Sequence, residues 1–469
     1  MMRTQTRDLP GGRKGADLAD QSQRAGFSPL DFWAFVLPTI SFVEITIVGR
    51  LIVTEILLLA MLPWLWNARD RLPLPRWFVV LWAGWLLGQI VTDLVVGSPF
   101  EDFARGWAAI IFTITDFVAI LVLASTPRRA RLFALGLAAG SVLGYLFVPN
   151  AYAAADPWKW AFALPAGLAL AAGLSGSTGS RRPWLPFAAF AVLGLLNLYL
   201  GFRSLGGVTL LTAGYFVLGA ISGRRRVSSD RSMLRAAAGL AILAVVAICV
   251  LQAYDVAASQ GLLGADAQTK YETQSGTFSV LVGGRSEVLA SSQAIIDSPI
   301  LGHGSWAKDF TYVDLLAERL SSLGYEVGAG PSDVGLIPAH SYLMGSWVWA
   351  GFMGGLFWLA VLGISTRLLA KLYSFRVDLA PLLVFSTMLL LWNIAFSPYG
   401  FSARITAAYA VALCLLGLRL VRRDQTDDPP ARLSNGASRY PQPLSWGSAD
   451  GRGTVRNLRL APDQPDSGA

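Results

Sequence analysis

The chain has 469 residues, of which 54% are hydrophobic and only 14% charged, with sixteen tryptophans. Soluble domains carry about 25% charged residues, so this composition excludes an ordinary soluble enzyme and points to a polytopic membrane protein. The formal charge of +8 does not imply a nucleic-acid partner, because Lys and Arg cluster in short loops between apolar runs.

Residues 1–30 read as a cytoplasmic N-terminal segment. The first 28 are polar, with no apolar region followed by a small-residue cleavage site, so the first span is expected to act as an uncleaved anchor. A helix crossing a bilayer needs about 20 apolar residues. Residues 31–252 supply nine such runs: 31–48, 51–67, 77–97, 106–125, 131–148, 158–175, 184–201, 205–222 and 234–252. Residues 341–420 supply three more, at 341–365, 378–396 and 402–420, for about twelve spans in an all-α polytopic fold. The basic stretches "NARDRLPLPR", "STPRRAR", "SGSRRP", "SGRRRVSSDRSMLR", "STRLLAKLYSFR" and "RLVRRD" then all fall on one side. The positive-inside bias makes that side the cytoplasm, with both termini cytoplasmic and residues 253–340 outside. Residues 421–469, rich in Pro, Gly, Ser, Asp and Arg, read as a disordered cytoplasmic tail. Cys249 and Cys414 lie inside apolar runs, where neither a structural disulfide nor a metal site is expected.

The outer loop is patterned. "RSEVLASSQAIIDSP" and "TYVDLLAERLSSLG" each space their apolar residues as amphipathic helices do, with Ser298-Pro299 stopping the first and Gly324 a C-cap for the second. "SPILGHGSW" between them reads as a glycine-broken turn.

Several cations depart from the inside rule. Arg203, in "LYLGFRSLGG", occupies a short outer junction at the hydrocarbon boundary, where an Arg is costly unless it snorkels or is paired. Arg285 follows two glycines and opens a helix, a position suited to an anion; an ion pair with Glu287 is the plainer alternative. Arg404 and Arg105 also reach the outer face, and snorkelling is the plainer account of Arg404. His340 and His303 are the only histidines. His340 stands where the polar loop turns into an apolar run, and could be a satisfied helix-start imidazole or a reactive one. His303, between Gly302 and Gly304, reads first as a turn residue. Glu44, Glu55, Asp93 and Asp116 lie in or near spans, with a pairing of Glu44 or Glu55 to Arg50 expected.

In order, "GFRSLGG", "GGRSEVLASSQAIIDSPILGHGS" in a large late loop and "AHSYLMGSWVWAGFMGGLFWL" entering the next span resemble the O-antigen ligase and polymerase family. The motifs cover about 80 residues; the architecture covers most of the chain. The resemblance implies a GT-C-like, metal-independent membrane glycosyltransferase of the bacterial inner membrane, without a cofactor. Its donor would be a polyprenyl-diphosphate-linked glycan and its acceptor another glycan or a lipid, with a polysaccharide export machinery as a further partner and membrane lipids around it. On the matching positions Arg203 and Arg285 would hold the donor diphosphate and His340 would act in transfer. Arg404, Arg105 and His303 are additional candidates. Members often carry His-Asn where this chain has His340-Ser341, which puts the acceptor contact in question. The aromatic run Trp347, Trp349, Phe352, Phe357 and Trp358 is expected either to line a groove for the lipid tail or to form an interfacial belt. Two rival readings remain: a metal-dependent glycosyltransferase using Glu101-Asp102, and a flippase of lipid-linked glycan, which would show midplane charges, broken helices and a repeat.

Overall fold

A computed structural model describes residues 27–47, 49–67, 75–176, 184–221, 256–262, 286–323, 335–375 and 377–427, with isolated positions at 182, 252, 264 and 268. The expected span at 234–252, the tail beyond 427, Gly324 and Arg285 lie outside the described residues.

The described chain is helical, with one two-stranded hairpin. Among the described residues six helical segments are long and apolar enough to cross a membrane: Arg76–Val96 (α3), Phe100–Leu123 (α4), Pro127–Phe147 (α5), Arg203–Ile221 (α9), Tyr342–Ser374 (α12) and Phe401–Arg423, most of which is α14, Arg404–Asp427. Four shorter apolar helical segments accompany them: Val53–Leu65 within α2 (Val53–Asn67), Trp158–Leu174, Trp184–Tyr199 (α8) and Ala380–Phe396 (α13). Trp158–Leu174 combines a π-helical turn, Trp158–Phe162, with helix α7, Ala163–Leu174, and follows the short α6, Ala151–Ala155.

The first expected span departs from a plain helix. Helix α1, Pro29–Thr39, ends one residue after Pro38, and the chain continues as an antiparallel hairpin, β1 (Glu44–Thr46) on β2 (Arg50–Ile52). The cause is local. Proline removes a backbone donor, and "ISFVEITIVGRLIV" is dense in β-branched residues, which favour extended backbone. Thr54 ties the following helix back to α1 by donating to the Leu37 carbonyl at 2.8 Å.

The expected span at 341–365 departs further. Gly351 has φ 61° and ψ −152°, a conformation essentially confined to glycine, and α12 reverses there. Trp358 Nε1 donates to Ser346 Oγ at 2.8 Å, and the Tyr342 and Trp358 rings lie 5.0 Å apart. Residues twelve apart on a straight helix would be about 18 Å apart, so the limb before Gly351 folds back on the limb after it. The limb after the break, 352–374, still has the ~20 residues a crossing requires.

The two loop helices form as Glu287–Asp297 (α10) and Phe310–Ser322 (α11). Ala290, Ala294, Tyr312, Ile337 and Val348 make a small core of their own, separate from the main membrane-bundle core. Between these helices residues 300–304 plug the break in α12. His303 N donates to Val348 O (2.7 Å), Gly304 N to Trp349 O (3.1 Å), and Phe352 N to Ile300 O (3.1 Å). Replacing Gly351 by Ala would force a Cβ into the Ile300 carbonyl and impose a forbidden φ. Gly351→Ala is expected to cost about 3 kcal/mol or more, read as a lowered thermal unfolding midpoint in detergent. Gly363→Ala, in the same helix with nothing within 4 Å of the added Cβ, should leave the midpoint unchanged or raise it.

Candidate functional site

His340 immediately precedes α12. Ser341 is the helix N-cap: its Oγ accepts from Met344 N (3.1 Å) and donates to the Ile394 carbonyl of α13 (2.7 Å). Ser is strongly favoured at that position. The cap also fixes where the neighbouring imidazole stands.

Across from it, the loop helix α10 presents Glu287, whose Oε1 lies 3.5 Å from His340 Nδ1. The histidine side chain is 42% exposed and that of Glu287 30%. Glu287 Oε2 is buried without a hydrogen-bond partner. Between α10, the start of α12 and the end of α13 lies a small cleft. Its lining mixes four polar residues, Glu287, Ser291, His340 and Ser341, with four apolar ones, Val288, Met344, Ala395 and Phe396. The cleft therefore offers groups for a hydroxyl-bearing molecule beside groups for hydrocarbon. Ser286, the N-cap of α10, makes no side-chain capping bond, and the Leu289 amide of the first turn donates to the Ser286 carbonyl at 2.9 Å.

Arg203 opens α9. Near its other end, Tyr215 Oη donates to Leu369 O (2.7 Å), and Tyr373 Oη to Leu218 O (3.4 Å), so α9 runs in the same direction as the long limb of α12. Arg203 precedes Tyr215 by twelve residues, as Phe357 precedes Leu369. Both lie about 18 Å along their axes from that contact. Because Tyr342 packs on Trp358, the reversal at Gly351 brings His340 to the same depth as Arg203. A straight α12 would carry His340 far beyond it.

The other candidates are engaged elsewhere. Arg404 is 4% exposed and does not snorkel. Its Nε and Nη2 grip Glu55 at 2.5 and 2.7 Å, and Nη2 also donates to the Arg50 carbonyl (3.1 Å). Glu55 in turn accepts from Ile52 N (2.9 Å). Arg50 reaches Glu44 instead (3.9 Å), so of the two expected pairings Glu44 is the one found. Arg105 faces Glu101 (3.3 Å) and Asp102 (3.8 Å), and Lys308 also holds Asp102 (3.0 Å). The Glu101-Asp102 pair is thus matched by two cations. Among the described residues no group of three or more His, Cys, Asp or Glu is placed to hold a metal ion.

His303 pins the loop. Its Nε2 donates to the Ala294 carbonyl (2.8 Å), and its ring meets Tyr312 edge-on at 5.4 Å. Beside it, hydrogen bonds from Gln293 and then Tyr312 hold the Asp297 carboxyl below its ordinary value. Burial, followed by the bond to Asp297, pushes the Tyr312 phenol up. Asp93 is a buried receptor for the same loop: its carboxylate accepts from Ser305 N (2.6 Å), Ser305 Oγ (2.7 Å), Ser98 Oγ (2.7 Å), Trp107 Nε1 (2.8 Å) and Gln89 Nε2 (3.2 Å). Asp116 is fully buried with neither carboxyl oxygen hydrogen-bonded.

The aromatic run does not line one groove. Phe357 and Trp358 are buried against Trp85, Trp349 stacks on Trp306 (5.3 Å), and Trp347 donates to Pro299 O (2.8 Å). Phe352 alone of the five is exposed.

No protein-family model and no curated protein matches this chain.

The Glu55–Arg404 pair is a clean test of what holds this region. Removing one partner of a buried ion pair costs about 3–5 kcal/mol. Arg404→Met should therefore lower the thermal midpoint sharply, while Arg404→Met with Glu55→Gln should recover much of the loss.

Proposed function

We propose that the chain is a membrane glycosyltransferase of the O-antigen ligase and polymerase type. It would transfer or polymerise a polyprenyl-diphosphate-linked oligosaccharide at the periplasmic face of the bacterial inner membrane, with both termini cytoplasmic. The single observation that carries this reading is the cleft at His340, where polar and apolar side chains line one space. A donor made of hydrocarbon and sugar needs a site that offers both kinds of contact.

In this reading the acceptor hydroxyl gives its proton to His340 as its oxygen bonds to the donor's C1. The C1–oxygen bond to the diphosphate breaks, and its electron pair goes to the diphosphate. Neutral imidazole suits the first step near pH 7. Arg203, at the depth of His340, and Arg285, one residue before Ser286 in sequence, would take up the charge growing on the leaving group. Arginine stays ionised and grips phosphate oxygens in pairs. No metal or cofactor takes part. Polymerisation is preferred to ligation because nothing in the sequence of the modest outer loop suggests a dedicated platform for a lipid A core. The product would pass to an export machinery.

A second reading, a flippase for lipid-linked glycan, draws support from the broken helix at Gly351 and the buried Glu55–Arg404 pair. Proteoliposomes given lipid-linked oligosaccharide separate the two. On the transferase reading, His340→Ala, Arg203→Ala and Arg285→Ala each lower chain growth by about 100-fold or more. Wild-type product from all three, with labelled donor crossing the bilayer in the His340→Ala variant, would replace it with the flippase.

A further inference from the structure

Glu287 has no role in the reading above, yet it is the acidic side chain that faces the His340 ring. We infer that Glu287 is the positioning residue of His340: its carboxylate holds the Nδ1 side of the ring, so that Nε2 is the nitrogen that receives the acceptor's proton. This inference rests on the transferase reading and deepens it.

Three observations carry it. The first is the approach of Oε1 to Nδ1 at 3.5 Å, long for a hydrogen bond, as such contacts often are before substrate binds. The second is Oε2, buried without a partner. A buried carboxylate oxygen left unsatisfied is costly and calls for an explanation. The third is rigidity on both sides. Glu287 lies in the first turn of α10, a helix locked to α11 by Arg319, which donates to Leu289 O and to Gln293 Oε1 (3.2 Å). His340 is fixed by the Ser341 cap and its bond to α13. Neither partner sits on a free loop, so their approach is built into the scaffold.

The chemistry follows from the tautomer. A proton on Nδ1, directed at a carboxylate, leaves Nε2 as the basic nitrogen. When Nε2 takes the acceptor's proton, the ring becomes an imidazolium, and the adjacent carboxylate stabilises it without being protonated itself. This is the division of labour of an acid that orients a histidine base. The proton is then released to water from the half-exposed ring, which returns to its starting form.

The plain alternative is that Glu287 merely ties the loop helix to α12. The two are separated by steady-state transfer from lipid-linked oligosaccharide in proteoliposomes, with wild type, Glu287→Ala, Glu287→Gln, His340→Ala and the double variant Glu287→Ala/His340→Ala. Glu287→Ala should lose about 100-fold in kcat, with the donor KM within about twofold. Glu287→Gln, which keeps an oxygen for the Nδ1 proton but no charge, should recover part of that loss. In the His340→Ala background Glu287→Ala should cost nothing more, because two residues acting as one unit are not additive. Equal losses in Ala and Gln together with a lowered thermal midpoint would overturn the inference in favour of a tie. So would wild-type turnover in Glu287→Ala. If His340→Ala itself turns over normally, the transferase reading fails first; if only Glu287→Ala does, this inference fails alone.

Discussion

The reversal of α12 at Gly351 is the constraint on which the rest of the arrangement depends. A break in an apolar helix exposes backbone groups that hydrocarbon cannot satisfy, and such a break is tolerated only where protein or water meets them. Here residues 300–304 of the polar loop meet them, taking the Val348 and Trp349 carbonyls and supplying an acceptor to Phe352 N. The loop is in turn received by the Asp93 carboxylate at the end of α3, which accepts from both Ser305 N and Ser305 Oγ. Loop, broken helix and α3 thus close a circuit in which each part satisfies the next. Two consequences reach the cleft. The fold-back lowers His340 to the depth of Arg203, and the seated loop carries α10, with Glu287, over the histidine.

A second circuit supports the opposite flank. The hairpin at residues 44–52 places extended backbone beside apolar helices, with strand edges that a helix would not have. The buried Glu55–Arg404 pair covers that edge, since Arg404 donates to the Arg50 carbonyl and Glu55 accepts from Ile52 N. The ions thereby satisfy one another and two backbone groups. This is the condition under which a buried pair repays its desolvation. It also explains why Arg404 stands apart from the cleft although, by sequence, it is as much an outward cation as Arg203.

Much of this was legible in the sequence, and what was not has identifiable causes. Hydropathy located the apolar runs, and the loop helices followed from their periodicity, because both signals are local. The hairpin signal was also local. "EITIVGRLIV" reads as two β-branched strands about a glycine, but hydropathy assigns its two halves to the neighbouring spans 31–48 and 51–67 and outweighed it. The reversal at Gly351 was hidden for a different reason. "WAGFMGG" holds three glycines, and only the docking of residues 300–304 selects the one that turns. Partners distant in sequence were likewise out of reach: Arg404 with Glu55 is separated by 349 residues, and Asp93 with Ser305 by 212. Glu287 was visible as a partner for a cation two residues away. Its approach to His340 across the cleft depends on where α10 docks.

The position of His340 has a physical logic of its own. An imidazole deep among apolar helices would be shut off from any polar molecule outside the bundle. On a mobile loop in water it would lack a fixed aim. The Ser341 cap and the α10 carboxylate place it between these limits, half exposed, in a cleft that Met344, Ala395 and Phe396 also line. The cost of building such a place is the broken helix and its polar plug. A straight α12 would satisfy its own backbone with no help, but would lift the histidine more than one helical turn away from both Arg203 and the end of α13. The fold therefore gives up a self-sufficient helix and brings an imidazole, a carboxylate and apolar side chains into one cleft.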